Sequence, residues 1–238
     1  MRIIHLSDLH IPENGQDIWG INPVDRLNAM ASKIKCLKNI DAIIISGDIS
    51  NDGSLWSYRY VDSIFADIDI PTYCCPGNHD NLKLFYDGYK PHFYNTKELL
   101  NIGGWTFILL NSAVEGMSRG MTDLENLDTL LSQATGNIAI VLHHPPIEQE
   151  GWLNRKLLEN RNEFIELISR NKNVKLVLYG HTHYNSIIRR ENLIFSSASS
   201  IGFAFAPELP KFEIAHGQEG FSLLTFNGEN VSIENILI

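Results

Sequence analysis

Short apolar runs alternate with amphipathic stretches along most of this chain. Residues 2–7, Ala42–Ser46, Thr72–Cys75, 105–110, 138–142 and Val174–Tyr179 are strand-length, and several are apolar without interruption, the pattern of strands buried on both faces. Helical periods lie between them. Asn22-Pro23-Val24-Asp25 supplies an N-cap, a proline at the first helical position and an acid in the first turn, and Val24, Leu27, Ile34 and Leu37 then share one stripe. A second helix is predicted over residues 54–66, with Val61, Ile64, Phe65 and Ile68 facing inward. Thr122-Asp123-Leu124-Glu125 reads as a capping box ahead of Leu124, Leu127, Leu130 and Leu131, and a long helix is predicted over residues 155–169. From Ser186 onward the pattern reads as a β meander, with Asn227-Gly228 as a hairpin turn.

Alternating strands and helices followed by hairpins predict an α/β layered fold, and two packed sheets flanked by helices would hold every element. The chain has 238 residues, 44% of them hydrophobic, and no repeat or Pro/Gly/Ser-rich linker divides it, so residues 1–238 are read as one domain.

Five polar clusters interrupt the pattern, each directly after a predicted strand. They are Asp8-Leu9-His10, Gly47-Asp48, Gly77-Asn78-His79-Asp80, His143-His144-Pro145-Pro146 and Gly180-His181-Thr182-His183. Loops at the carboxyl ends of strands in an α/β sheet converge on one rim, where ligands bind. Aspartate and histidine are the common oxygen and nitrogen ligands of first-row divalent metals, and asparagine adds a neutral carbonyl oxygen. Of nine histidines, the six at positions 10, 79, 143, 144, 181 and 183 fall in these clusters, which argues against scattered surface or core histidines. His5, inside a strand, reads as a satisfied buried histidine.

The series resembles the calcineurin-like metallophosphoesterase superfamily, whose pattern is Asp-x-His, Gly-Asp, Gly-Asn-His-Asp/Glu, His, Gly-His-x-His, and it spans Asp8 to His183. The resemblance implies a four-layer αββα sandwich of two mixed β-sheets flanked by helices. It implies two metal ions, one held by Asp8, His10, Asp48 and His183 and the other by Asp48, Asn78, His143 and His181, with Asp48 bridging. His143 rather than His144 is taken as the ligand because family members with a single histidine carry it at the first position. The implied reaction is in-line attack on phosphorus by a metal-bridging hydroxide. His79 is then the candidate acid for the leaving group, and Asn78, His79, His144 and Arg119 are the candidate substrate contacts. Asp80 is read as structural.

Within the superfamily, protein phosphatases continue Gly-Asp-x-x-Asp-Arg. Here the stretch is Gly47-Asp48-Ile49-Ser50-Asn51-Asp52, with an acid where the arginine would stand. The paired His143-His144-Pro145-Pro146 and the compact length are most similar to the bacterial cyclic-nucleotide phosphodiesterase branch. The resemblance therefore implies hydrolysis of a cyclic nucleotide or another small phosphodiester. A pyrophosphatase or nuclease of the same superfamily is the alternative chemistry, and a non-catalytic metal-binding scaffold the alternative class. Ligands of this mixture suit Mn, Fe or Zn. Aromatics in residues 198–217, Phe203 and Phe205 among them, are read as core or dimer contacts before base-stacking groups.

Charge and cysteine usage complete the picture. Lys plus Arg total 19 against 28 Asp plus Glu, a formal net charge of −9, and Arg189-Arg190 is an isolated basic pair, so nucleic acid is not an expected partner. Cys36, Cys74 and Cys75 form no disulfide framework, and the adjacent Cys74 and Cys75 should point to opposite faces of a strand. The opening apolar stretch is too short for a signal sequence and no run reaches membrane-span length, so a cytoplasmic protein without a membrane partner is expected. A homo-oligomer is compatible with the sequence.

Overall fold

A computed structural model describes residues 1–92, 94–207 and 211–238. The chain begins β1 (Arg2–Leu6), α1 (Pro23–Cys36), β2 (Ala42–Ser46), α2 (Leu55–Ile68) and β3 (Thr72–Cys75). The strands β4 (Tyr94–Asn95), β5 (Leu99–Ile102) and β6 (Trp105–Leu109) follow, then α3 (Leu124–Gln133), β7 (Asn137–Val141), α4 (Arg161–Ser169) and β8 (Val174–Tyr179). Two hairpins end it, β9 (Ser186–Arg190) with β10 (Leu193–Ser197), and β11 (Gly220–Asn227) with β12 (Asn230–Leu237).

The strands form two six-stranded mixed sheets, in the orders β12-β11-β1-β2-β3-β4 and β5-β6-β7-β8-β10-β9. The period-2 alternation of side chains divides each apolar run between two cores. In β2, Ile43 and Ile45 pack with Leu27, Ile34, Val61 and Phe65 of α1 and α2. Ala42 and Ile44 face the other way, toward Phe107, Val141 and Leu178 of the second sheet. In β7, Ala139 and Val141 join that middle core, while Ile138 and Ile140 pack with Leu127, Leu131 and Phe164 of α3 and α4. The order of layers is thus helices, sheet, sheet, helices, as expected. Fully burying each such Ile, Leu or Phe contributes about 1.5–3 kcal/mol. Cys74 lies in the outer core and Cys75 in the middle one, the predicted split.

Several expectations change. The helix predicted over residues 155–169 begins at Arg161; Trp152–Arg155 is a 3-10 turn, and the following residues are taken by tertiary pairing. Leu158 N donates to Pro145 O (3.0 Å) and Glu159 N to Gly120 O (2.7 Å), which fixes that segment as extended chain. The α3 cap is Asp123, whose Oδ1 accepts from the amides of Glu125 and Asn126, both at 3.0 Å; Thr122 instead donates its hydroxyl to Asn111 O. The C-terminal strands are not one meander. β10 pairs parallel with β8 in the second sheet, whereas β11 crosses to pair antiparallel with β1 in the first. The described part of the crossing segment consequently runs over the rim where the strand ends meet, with Ile201 N donating to Ser7 O and Gly202 N to Asp8 O. His5 Nε2 is 2.8 Å from Ser46 Oγ, but its buried Nδ1 has no partner among the described residues, so the ring is half satisfied there. No helix among the described residues is long and apolar enough to cross a membrane.

Candidate active site

β1, β2 and β3 run parallel in one sheet, and β6, β7, β8 and β10 in the other. The loops leaving β1, β2, β3, β7 and β8 carry the five polar clusters to one rim, so residues 175 positions apart in sequence touch. His183 Nε2 lies 3.2 Å from Asp8 Oδ1 and 3.1 Å from His10 Nε2. Asp48 Oδ2 is central: His10 Nε2 stands 3.4 Å from it and His143 Nε2 3.3 Å. His143 Nε2 is also 3.2 Å from His181 Nδ1.

This approach requires unusual backbone. Asp8, His10, Asp48, His181 and His183 have φ of 53°, 47°, 54°, 68° and 57°, the left-handed region that side chains other than glycine seldom adopt. Strain concentrated on five site residues is held by the surrounding structure. Two glycines make room. A Cβ at Gly77 would lie 2.2 Å from Asp48 Oδ1, and one at Gly180 would lie 1.8 Å from Ser7 Oγ. Asp80 clamps two of the loops together, accepting from the amides of Gly77 (2.9 Å), Ser50 (3.0 Å) and Ile49 (3.3 Å) and from the Tyr58 hydroxyl (3.1 Å). Burial and the neighbouring Asp48 charge raise the Asp80 carboxyl to about 6, against the pull of those amides.

Hydrogen bonds on the far ring nitrogens orient the imidazoles. His143 Nδ1 donates to Ser46 O (2.8 Å) and His183 Nδ1 to Phe203 O (2.7 Å); carbonyls only accept, so the lone pair of each neutral ring sits on Nε2, facing the carboxylates. His144 is held differently. Ser112 Oγ accepts from the amides of His143 (3.2 Å) and His144 (3.1 Å), which occupies its lone pairs and leaves its proton for His144 Nδ1 at 2.9 Å. The neutral His144 ring then carries its own proton on Nε2, a buried atom with no partner among the described residues.

Burial alone would push both central carboxyls up. The imidazoles outweigh it: His183 and His143 hold Asp8 well below the usual carboxylate range, and His143 and His10 do the same for Asp48. For His143 the balance is reversed, burial being outweighed by Asp48 and Asp8, which push the ring up to about 9. Burial brings His10 and His144 down to about 3 and holds His181 well below the ordinary value, so these rings stay neutral at neutral pH.

The donors fit metal ions. Asp8, His10 and His183 present ligand atoms within 4.8 Å of one another, as do Asp8, Asp48 and His143, and also His143, His144 and His181. Asn78 Oδ1 and His181 Nε2 are buried without a partner among the described residues, which is costly unless another group fills that space. Neutral imidazoles and ionised carboxylates are the forms that ligate.

His79 lies at the exposed edge. Its amide donates to Asp48 Oδ1 (2.8 Å), its Nδ1 donates to Asn51 O (2.8 Å), and its ring stands edge-on to His10 at 4.7 Å. It lines a cleft of about 550 Å³ shared with His10, Asp48, Asn78, His181 and His183. Arg119, expected at the substrate, is elsewhere. Its guanidinium bonds Glu159 Oε1 and Arg155 O, both at 2.9 Å, and lines a separate cavity with Arg155 and Arg161. An acid 40 positions away captured it, and the sequence carried no local sign of that. Phe203 and Phe205 are buried, as read, but against the site: Phe203 stacks on His10 (4.7 Å, 26°) and Phe205 on His183 (4.1 Å, 8°). Sequence reasoning missed Tyr58 beneath Asp80, and Trp19, Leu153, Lys156 and Phe212 in the cleft, because none of them lies in a strand-end cluster.

Comparison with known proteins places this arrangement. Over residues 1–185 the chain matches the calcineurin-like phosphoesterase family model. It is 31% identical over 229 residues to a 3′,5′-cyclic-nucleotide phosphodiesterase of a Nostoc strain, covering 93% of this chain and 86% of that protein. It is 25% identical over 235 residues to the 3′,5′-cyclic adenosine monophosphate phosphodiesterase CpdA of Pseudomonas aeruginosa, covering 95% and 86%. A solved dimetal phosphatase from Danio rerio superposes with a TM-score of 0.70 at 12% identity, covering 98% of this chain and 95% of that one, a likeness of fold. The chain belongs to the calcineurin-like phosphoesterase family.

Proposed function

We propose that this protein hydrolyses a small phosphodiester, a 3′,5′-cyclic nucleotide above all, with two metal ions held around Asp48. The observation that carries the reading is the convergence of His10 Nε2 and His143 Nε2 on Asp48 Oδ2, in a cleft where the buried Asn78 Oδ1 has no partner among the described residues. Asp8, His10, Asp48 and His183 would hold one ion, and Asp48, Asn78, His143 and His181 the other. His143 rather than His144 is the ligand because its Nε2 faces Asp48 and is the atom a metal would take in exchange for a proton, while the Nε2–H of the neutral His144 ring serves as a donor to the substrate. Nitrogen and oxygen donors in this mixture suit Mn, Fe or Zn. Once bound, such ions supply an acidified water and neutralise charge on the phosphoryl oxygens.

The protein's own groups do the rest. Asn51 O fixes the Nδ1–H of His79, so the protonated ring presents Nε2–H to the cleft. As the phosphorus–oxygen bond to the leaving ester oxygen breaks, that proton passes to the oxygen and the product is a phosphomonoester. The preference for a diester follows from charge. Asp52 takes amide hydrogen bonds from Glu13 (2.8 Å) and Ser54 (3.1 Å), which outweigh its slight burial and hold its carboxyl below the ordinary value. Asp52 lines a neighbouring pocket with Asn78 and His79, so a dianionic monoester at the cleft is repelled by its charge more than a monoanionic diester. The relatives named as cyclic-nucleotide phosphodiesterases agree with this choice. The free thiols of Cys36, Cys74 and Cys75 suit a reducing, cytoplasmic compartment.

Protein stripped of metal and restored with Mn²⁺ is expected to hydrolyse bis(p-nitrophenyl) phosphate at least about tenfold faster, in kcat/KM, than p-nitrophenyl phosphate, a difference of roughly 1.4 kcal/mol. A preference for the monoester overturns the diester reading, and two bound ions without any turnover would favour a scaffold. Metal removal has a second readout. Ions that bind only the folded chain stabilise it, so chelation is expected to lower the melting temperature by roughly 5–10 °C. An unchanged melting temperature would mean that the donors around Asp48 bind no metal.

A further inference from the structure

The cleft has one apolar wall that the proposed chemistry does not use. Ile21, Leu153, Phe203 and Phe205 form a small buried cluster of their own, apart from the three cores of the sandwich, with Ile18 and Ile214 packed against it. Three stretches supply it: residues 12–22, residues 151–158, and the segment that carries Phe203, Phe205 and Ile214. Trp19 stands on this wall, its ring 4.9 Å from Phe203 and 4.7 Å from Phe212. Phe203 in turn stacks on His10, so the indole is two ring contacts from a ligand imidazole.

Trp19 is costly in two independent ways. Ile18 and Ile21 exchange both amide hydrogen bonds, at 2.8 and 3.0 Å, and close a two-residue turn over Trp19 and Gly20. Both central residues have positive φ, 51° and 78°, as in a type I′ turn, where asparagine followed by glycine is the favoured pair. A tryptophan at the first position bears backbone strain and gains no burial for it, because 59% of its surface is exposed. Phe212 beside it is 41% exposed. Strain and exposed aromatic area at the mouth of a catalytic cleft mark a contact surface for a ligand.

We propose that Trp19, with Phe212, is the base platform of the cleft: a nucleobase stacks on the indole while the phosphate lies at Asp48 and His79. This rests on the nucleotide-phosphodiesterase reading above. The occupant is a nucleobase because the surface is continuous with the groups that would hold the phosphate, and because Ile18, Trp19, Leu153, Phe203, Phe205 and Phe212 offer ring faces and aliphatic carbon in the same cleft, which Ser118 and Lys156 also line. Such a surface measures stacking area, which every base supplies.

The test compares inhibition of bis(p-nitrophenyl) phosphate hydrolysis by AMP and by ribose 5-phosphate, which share a phosphate and a ribose and differ in the base. AMP is expected to bind at least about fivefold more tightly than ribose 5-phosphate, as one stacked base allows. Trp19→Leu, which keeps bulk but lacks the ring, should erase that ratio, and Trp19→Phe should keep most of it. Taking the ratio within each variant cancels any change in folding or turnover. A ratio that survives in Trp19→Leu, or equal inhibition by AMP and ribose 5-phosphate, would each overturn the platform. Quenching of tryptophan fluorescence by AMP, lost in Trp19→Phe, reads the same contact without turnover. A protein that fails to hydrolyse the diester but shows this quench would lose the function proposed above and retain the platform.

Discussion

An Asp48→Asn protein is expected to lose turnover to below about one-thousandth of the parent and to lose metal from both positions. The carboxylate lies between two imidazoles assigned to different ions, His10 Nε2 at 3.4 Å and His143 Nε2 at 3.3 Å from the same Oδ2. Its other oxygen is engaged by the His79 amide at 2.8 Å. Asparagine keeps the volume and can keep that amide contact, so the loop geometry survives while one negative charge leaves a fully buried site. The raised proton affinity of His143 depends chiefly on Asp48 once burial is overcome, so the substitution also alters the partner ring. Losing several kcal/mol of charge stabilisation corresponds to a rate loss of at least about a thousandfold. Metal analysis of Asp48→Asn beside Asp8→Asn separates a bridge from an ordinary ligand. Asp8 belongs to one proposed position, so its variant should retain the second ion. Full double occupancy in Asp48→Asn would overturn the bridge whatever the activity.

The legible parts of this molecule were those whose signal is local. The run Ala42–Ser46 announces a strand buried on both faces, and the structure divides its side chains between two cores. Asp8, Asp48, Asn78, His143, His181 and His183 could be grouped because each follows such a strand and parallel strand ends meet at one rim. What depended on distant partners was not legible. Leu157 sits at helical spacing from Phe164 and Ile168, yet Gly120 takes its carbonyl and Pro145 the amide of Leu158, and the helix starts later. The hairpins after Ser186 looked contiguous until β10 found β8 and β11 found β1. Within the site, the choice between His143 and His144 turns on Ser112 Oγ, more than thirty residues away, because that hydroxyl decides which ring nitrogen carries the proton. Trp19 gave no sequence signal, since a tryptophan before glycine reads as an ordinary turn. Its significance appears only when φ, exposure and the ring contacts with Phe203 and Phe212 are seen together.

His79→Ala is expected to cut kcat on a cyclic nucleotide by about 10²–10⁴-fold while leaving metal content unchanged. The argument begins with the far side of the ring. Nδ1–H is held by Asn51 O at 2.8 Å, so the second proton of the imidazolium form is the one on Nε2, at the cleft, and it is the one available for transfer. The rival role is as a ligand, since His10, Asp48 and His79 present atoms within 4.8 Å of one another. Metal content separates the two: a ligand's loss releases an ion, whereas loss of a proton donor does not. A second rival is a purely electrostatic grip on the phosphate, which would be lost equally for every diester. Acid help matters in proportion to the basicity of the departing oxygen. A nucleoside alkoxide needs the proton, and p-nitrophenolate leaves readily without it. The loss should therefore be large with the cyclic nucleotide and small with bis(p-nitrophenyl) phosphate. Equal losses on both substrates, with both ions in place, would remove the acid role and leave His79 as a phosphate contact.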